Sequence, residues 1–319
     1  LRVDNQCLIW AVDNAPVDNK AGSSDQPDKC CTVRQEIVNL IRLLGNRYAR
    51  VKTSIAFVDE TFHVAKTESE TSFYAMGATL VPISELQNTR NRIIEIVGDG
   101  YWHTTDAFHN GDQTGIRSFL RGLASMQVSN FVSTLRGTSS DDLERARQIC
   151  MVQILAHLDH MNADLVVLER RDSSAKRNAD TALFMRARAN GLVKSSMQFI
   201  QAHPAAENLL WVPDLVCWAY RRFIALGETE WLRCLDLSED HDLGDAEFRL
   251  NEKRPEPALR SSSDPDVRMG RMGASKHRSS GTIIAQISCG ATLPVHKSMT
   301  ELEPIISPIN LKEWLEAEF

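Results

Sequence analysis

Four acidic side chains stand where strands and helices hand over to one another. Asp59 and Glu60 close the apolar run from Thr53 to Val58. Glu169 closes the run from Ala163 to Leu168, and Asp214 follows Pro213 at the start of an apolar helix. Ligands of open α/β sheets collect beyond the carboxyl edges of the strands. The C-terminal end of a strand and the N-terminal end of the next helix share that side, so these acids can converge. Carboxylates pressed together repel, and a cation must compensate them if all are ionised. An all-oxygen set suits Mg²⁺ or Mn²⁺. Two such ions ~4 Å apart can activate a water and stabilise the leaving oxygen of a phosphodiester.

Each acid also has a plainer reading. Asp59 fits a turn after a strand. Asp214 fits a first-turn acid favoured by the helix dipole, and Glu169 fits a surface pair with Arg170 or Arg171. The joint placement favours chemistry. Tyr101 to His109 adds Trp102, His103, Asp106 and His109 within one short segment. His103 is the candidate proton carrier and Asp106 a further metal ligand. The spacing matches no zinc motif. His157, Asp159 and His160 read as polar positions on a long helix, without a role.

Between Arg170 and Arg222 there are nine Lys and Arg against four Asp and Glu, a local +5 in a chain of net −6. Arg171 and Arg221 are the candidate phosphate contacts. Arg221 lies seven residues after Asp214, on nearly the same helix face. The alternative is that these arginines solvate helix faces. There is no GxSxG elbow, no P-loop and no GxGxxG after a strand.

The elements that must position these residues alternate. Strands are expected at Thr53–Val58, Ser72–Val81, Val128–Leu135, Ala163–Leu168 and Met197–Ile200. Helices are expected at Ser84–Val97 with Ser84 as cap, Asp112–Ser125, Ser139 or Ser140 to His160, up to Ala189, and Leu209–Leu226. This order implies an α/β fold with a mixed, mostly parallel sheet flanked by helices. Residues 1–50 form an N-terminal appendage. Within it, Cys7–Val12 is apolar, Asp13–Lys29 is polar, and one helix carries Val33, Ile37, Leu40, Ile41 and Leu44 on one face. Residues 51–228 form the main domain, and 229–319 an acidic linker and mostly disordered tail. From Glu228 to Glu256 ten acids face four bases. Ser, Gly, Pro and Arg dominate from Pro255 to Ser280. Thr282–Ile287 and a terminal helix, Asn310–Phe319, are the segments able to dock.

The 319 residues suffice for one large domain or two modest ones. No apolar run approaches the ~20 residues of a membrane helix. Seven scattered cysteines without a CxxC argue against a disulfide framework or a cysteine zinc site. A cytoplasmic protein with reduced thiols is expected. The polar first residues hold no leader-like apolar segment, and a start at Leu1 rather than Met points to truncation. The acidic total weighs against a general nucleic-acid coat protein and leaves a nuclease with a local basic patch open.

The segments Phe57-Val58-Asp59-Glu60 and Phe73-Tyr74-Ala75-Met76-Gly77-Ala78 resemble the opening of the family known as domain of unknown function 3800. Leu210 to Ala219, around Asp214, is similar to its late helix near an Asp. Tyr101 to Thr105 is similar to the middle segment of some members. The resemblance covers roughly residues 50 to 228. It implies a ribonuclease-H-like fold and a metal-dependent nuclease site. Asp59, Glu60 and Asp214 match best; Glu169 and Asp106 match more loosely. Thr61 replaces the usual Gly, and Pro213 stands where Ala is commoner, which bears on activity more than on fold. The expectation is a Mg²⁺- or Mn²⁺-dependent nuclease acting on DNA or RNA. The alternative is an inactive nucleic-acid- or protein-binding module of a defence or mobile-element system, with a protein partner at the acidic tail.

Overall fold

The computed structural model describes residues 27–67, 70–98, 100–235, 282–287 and 299–302. Strand β1 (Ser54–His63) pairs antiparallel with β2 (Phe73–Pro82), from Ser54↔Pro82 to His63↔Phe73. The connection 64–72 is too short for a crossover, so only an antiparallel return is open to it. β3 (Ser129–Arg136) continues this meander beside β2. On the other side of β1 lies parallel β4 (Ala163–Glu169), followed by parallel β5 (Gln198–Ala202).

Two further strands, β6 (Thr282–Ile287) and β7 (Met299–Leu302), add antiparallel to the β3 edge. The order is β5-β4-β1-β2-β3-β6-β7. The sheet is therefore mixed. Parallel pairing holds for the β5-β4-β1 part, and the expectation of a mostly parallel sheet is corrected for the rest by the hairpin geometry.

Helices cover both faces. α1 (Pro27–Tyr48) buries Ile37, Ile41, Leu44 and Tyr48, a helical stripe, and Leu44 and Tyr48 join the main core. α2 (Leu86–Val97), α3 (Thr104–His109), α4 (Gln113–Ala124), α7 (Trp211–Leu226) and the short α8 (Glu230–Arg233) share that side. α5 (Leu143–His160) and α6 (Ser174–Ala189) lie on the other. Side chains alternate across a strand. Ile55, Phe57, Leu165 and Val167 therefore pack under the α7 side, and Ala56, Val58, Val166 and Leu168 under the α5 side.

Several boundaries differ from expectation. β1 runs on to His63, because β2 keeps supplying hydrogen-bond partners beyond Val58. Ser84 lies in a 3-10 turn, Ile83–Glu85, and makes no cap; Glu85 precedes α2. Another 3-10 turn, Ser140–Asp142, delays α5 to Leu143. Asp112 does cap α4, accepting from the Gly115 N–H at 2.8 Å. Thr282–Ile287 is a sheet strand. The expected readings of Cys7–Val12, of 255–280 and of the helix Asn310–Phe319 lie outside the described residues. Among the described residues no helix is long and apolar enough to cross a membrane.

Candidate active site

The β1–β4 ladder reaches Val58↔Leu168 and stops. One residue further, Asp59 and Glu169 are neighbours on adjacent parallel strands. Both continue the odd-numbered rows Ile55-Phe57 and Leu165-Val167, so both face α7. The Glu169 and Asp59 carboxyl groups act directly on one another. Asp214, in the first turn of α7, completes a cluster of three acids.

α7 comes this close because β2 has Gly77 opposite Asp59. A Cβ at Gly77 would lie 2.5 Å from Cys217 Sγ and 3.7 Å from the Pro213 carbonyl. The Cys217 thiol in turn reaches the Asp59 carbonyl at 3.6 Å. A missing side chain on β2 thus sets the height of the helix that carries Asp214.

Ionising all three acids together is electrostatically unfavourable. Burial, then Glu169, Asp214 and Glu60, push the Asp59 carboxyl well above the ordinary range. Burial, Asp214 and Glu60 push Glu169 up to about 8. Burial raises Asp214 too, against the opposing pull of His103 and Thr104. Two bonds to one oxygen hold Asp214: the Thr104 N–H at 2.8 Å and the Thr104 hydroxyl at 2.7 Å, both to Oδ2. Its Oδ1 faces His103 Nε2 at 4.0 Å. His103 Nδ1 is held by Asp106 Oδ2 at 3.0 Å. His103 therefore bridges an exposed carboxylate and a clustered one.

The other candidates part company here. Glu60 points to the opposite face, as the neighbour of Asp59 must in a strand, and forms an ion pair with Arg147 of α5. Its place among the first ligands is corrected on that ground. Asp106 is mostly exposed and acts on His103, so its contact with the cluster is indirect. Arg171 is already engaged, bidentate to Glu144 at 2.6 and 2.7 Å and 3.5 Å from Asp180, which corrects its reading as a phosphate contact. Arg221 is exposed two turns along α7, about 10 Å of helix axis from Asp214. The proposed surface pairing of Glu169 is not observed: Arg170 lies 3.7 Å from Glu36 and Arg171 takes Glu144.

Sequence reasoning missed Thr104, Gly77, Cys217 and Arg147. It also missed Tyr101, whose hydroxyl lies in the field of Glu169, Asp214, Asp106 and Asp59; burial and those charges hold it well above its usual pKa. Its nearness to His103 was the available signal.

Among the described residues, no three His, Cys, Asp or Glu side chains are preset as a chelate. Asp59, Glu169 and Asp214 are all oxygen donors, the ligand type that hard divalent ions take. Comparison with family models, curated proteins and solved structures returns no match.

Proposed function

We propose that the protein is a Mg²⁺- or Mn²⁺-dependent nuclease with a ribonuclease-H-like domain, of the kind the family resemblance implies. The observation that carries this reading is the placement of Asp59, Glu169 and Asp214 together on one sheet face at the end of the β1–β4 ladder. These three residues would hold the ion. When bound, it supplies charge compensation, polarises a phosphoryl oxygen and lowers the pKa of water.

The chain's own residues do the rest. Thr104 occupies Oδ2 of Asp214 and leaves Oδ1 turned outward toward His103. Asp106 holds His103 at Nδ1, so Nε2 is the atom that takes or gives a proton. Tyr101, kept neutral by burial and by the nearby acids, supplies a hydroxyl donor in the field of the cluster. Arg147 neutralises Glu60 from behind and holds β1 in place.

The test is cleavage of DNA and RNA with Mn²⁺ by wild type and Asp59→Asn. Loss of a first ligand should lower the rate by at least roughly 100-fold, beyond the effect typical of outer-shell partners. Equal rates in both proteins would remove the proposed site.

A further inference from the structure

Trp102 sits behind the acid cluster rather than in it. Its ring is buried and packs edge-on against Phe119 of α4, with centroids 5.6 Å apart and planes at 83°. Such a core position asks only for a large ring. Yet the indole also turns Nε1 to the Thr104 hydroxyl, at 3.1 Å. The local backbone makes this contact. His103, between the two, is extended at φ −143° and ψ 119°, so side chains 102 and 104 leave on the same side.

The Thr104 hydroxyl is fully buried between a donor and an acceptor. An indole N–H can only donate, and a hydroxyl has one proton to give. Thr104 Oγ1 therefore accepts from Trp102, and its proton goes to Asp214 Oδ2, 2.7 Å away. The Thr104 backbone N–H donates to the same oxygen at 2.8 Å. Hydrogen bonds in series polarise one another, so the indole makes the hydroxyl a stronger donor.

The result is directional. Two donors on Oδ2 fix the rotation of the Asp214 carboxyl and leave Oδ1 on the side of His103 Nε2, at 4.0 Å. Groups that orient a metal ligand from behind typically matter about 10- to 100-fold in affinity.

We infer that Trp102 is a positioning residue of the acid cluster, acting through the Thr104 hydroxyl to orient the Asp214 carboxyl. What Asp214 then holds rests on the metal-dependent reading. The relay from Trp102 through Thr104 to Asp214 stands without an ion.

The experiment has two arms, both on the full chain. The first is Mn²⁺ affinity by calorimetry in a double-mutant cycle. Thr104→Val should weaken binding about 10- to 100-fold, and Thr104→Ser, which keeps the hydroxyl, should stay near wild type. Trp102→Phe keeps a ring in the core and removes the donor. It should weaken binding in wild type and add nothing in the Thr104→Val chain, since the interaction it serves is already gone. The second arm is metal-free: a proton–nitrogen correlation spectrum of isotope-labelled tryptophan in EDTA. The Trp102 indole signal is the one that Trp102→Phe removes. Thr104→Val and Asp214→Ala should both shift it upfield, the second although no contact joins residues 102 and 214. Equal losses from Trp102→Phe in both backgrounds would reduce it to a packing residue and overturn the inference. An indole signal unmoved by Asp214→Ala would overturn it as well. Absence of Mn²⁺ uptake by wild type would sink the metal site alone, and the indole signal would still decide the relay.

Discussion

Glu169 keeps its proton up to about pH 8 in the folded protein, against an ordinary value of 4.5. Between those values the folded chain binds more protons than the unfolded chain. Stability without metal must therefore fall as pH rises through that window. Glu169→Gln removes the titration, so its thermal midpoint in EDTA should decline less steeply than wild type's. Parallel slopes would show that the side chain is not held as a buried acid. At Gly77 the crowding is steric. Gly77→Ala should cost about 1–3 kcal/mol in urea unfolding by overpacking against Cys217. Adding Cys217→Ala should recover most of that loss; a double variant no better than the single would contradict the close approach of α7. Residue by residue, Asp59 and Glu169 were legible as acids closing apolar strands. Glu60 was misassigned although the two-residue strand period already separates it from Asp59. Thr104 and Arg147 were not legible. Their partners lie 110 and 33 residues away, and no local pattern marks such contacts.

Elements hold the site by being tied at both faces of one strand. β1 is pinned under α7 by the acids and Cys217, and over α5 by Arg147. Arg147 is 1 % exposed and serves Glu60, Asp180 and Tyr74 together. Arg147→Met would strip buried Asp180 of its two closest bonds and leave it only Arg171, at 3.5 Å. The loss should be about 3–5 kcal/mol in chemical denaturation. A cost below ~1 kcal/mol, the scale of a surface pair, would show the network to be incidental. The alternation of strands and helices was readable because most of the apolar runs are bounded by turn residues, Met197–Ile200 being the shortest of them. The end of β1 was not readable, since polar Asp59-Glu60 looks like punctuation while the ladder to β2 continues to His63. Short α3 was equally hidden, because its role is to present Thr104 to a helix distant in sequence.

At the scale of the molecule, the body does not stop at Gly227. Trp231 is 1 % exposed and packs on Trp218 at 5.0 Å and Phe108 at 6.1 Å. A chain cut after Gly227 should lose that wedge and unfold at a lower temperature than a chain cut after Leu235. Equal midpoints for the two truncations would contradict the packing. The cut after Leu235 also removes β6 from the β3 edge, and an uncovered edge invites association, readable by light scattering. The charge surplus of 170–222 overstates what is free for phosphate. Arg171 is taken by Glu144, Arg177 by the carbonyls of Arg171 and Asp172, and Arg222 by Glu228. Composition reports such residues equally, and only the fold separates spent from available cations.

The most direct measurement is a calorimetric titration of Mn²⁺ into wild type, Asp59→Asn and Asp214→Asn, each repeated in two buffers of different ionisation enthalpy. Wild type should take up the ion and release protons, because the ligand carboxyls must ionise, and both variants should lose that uptake. Absence of carboxylate-dependent binding in wild type, or binding undiminished in the variants, would contradict the metal site.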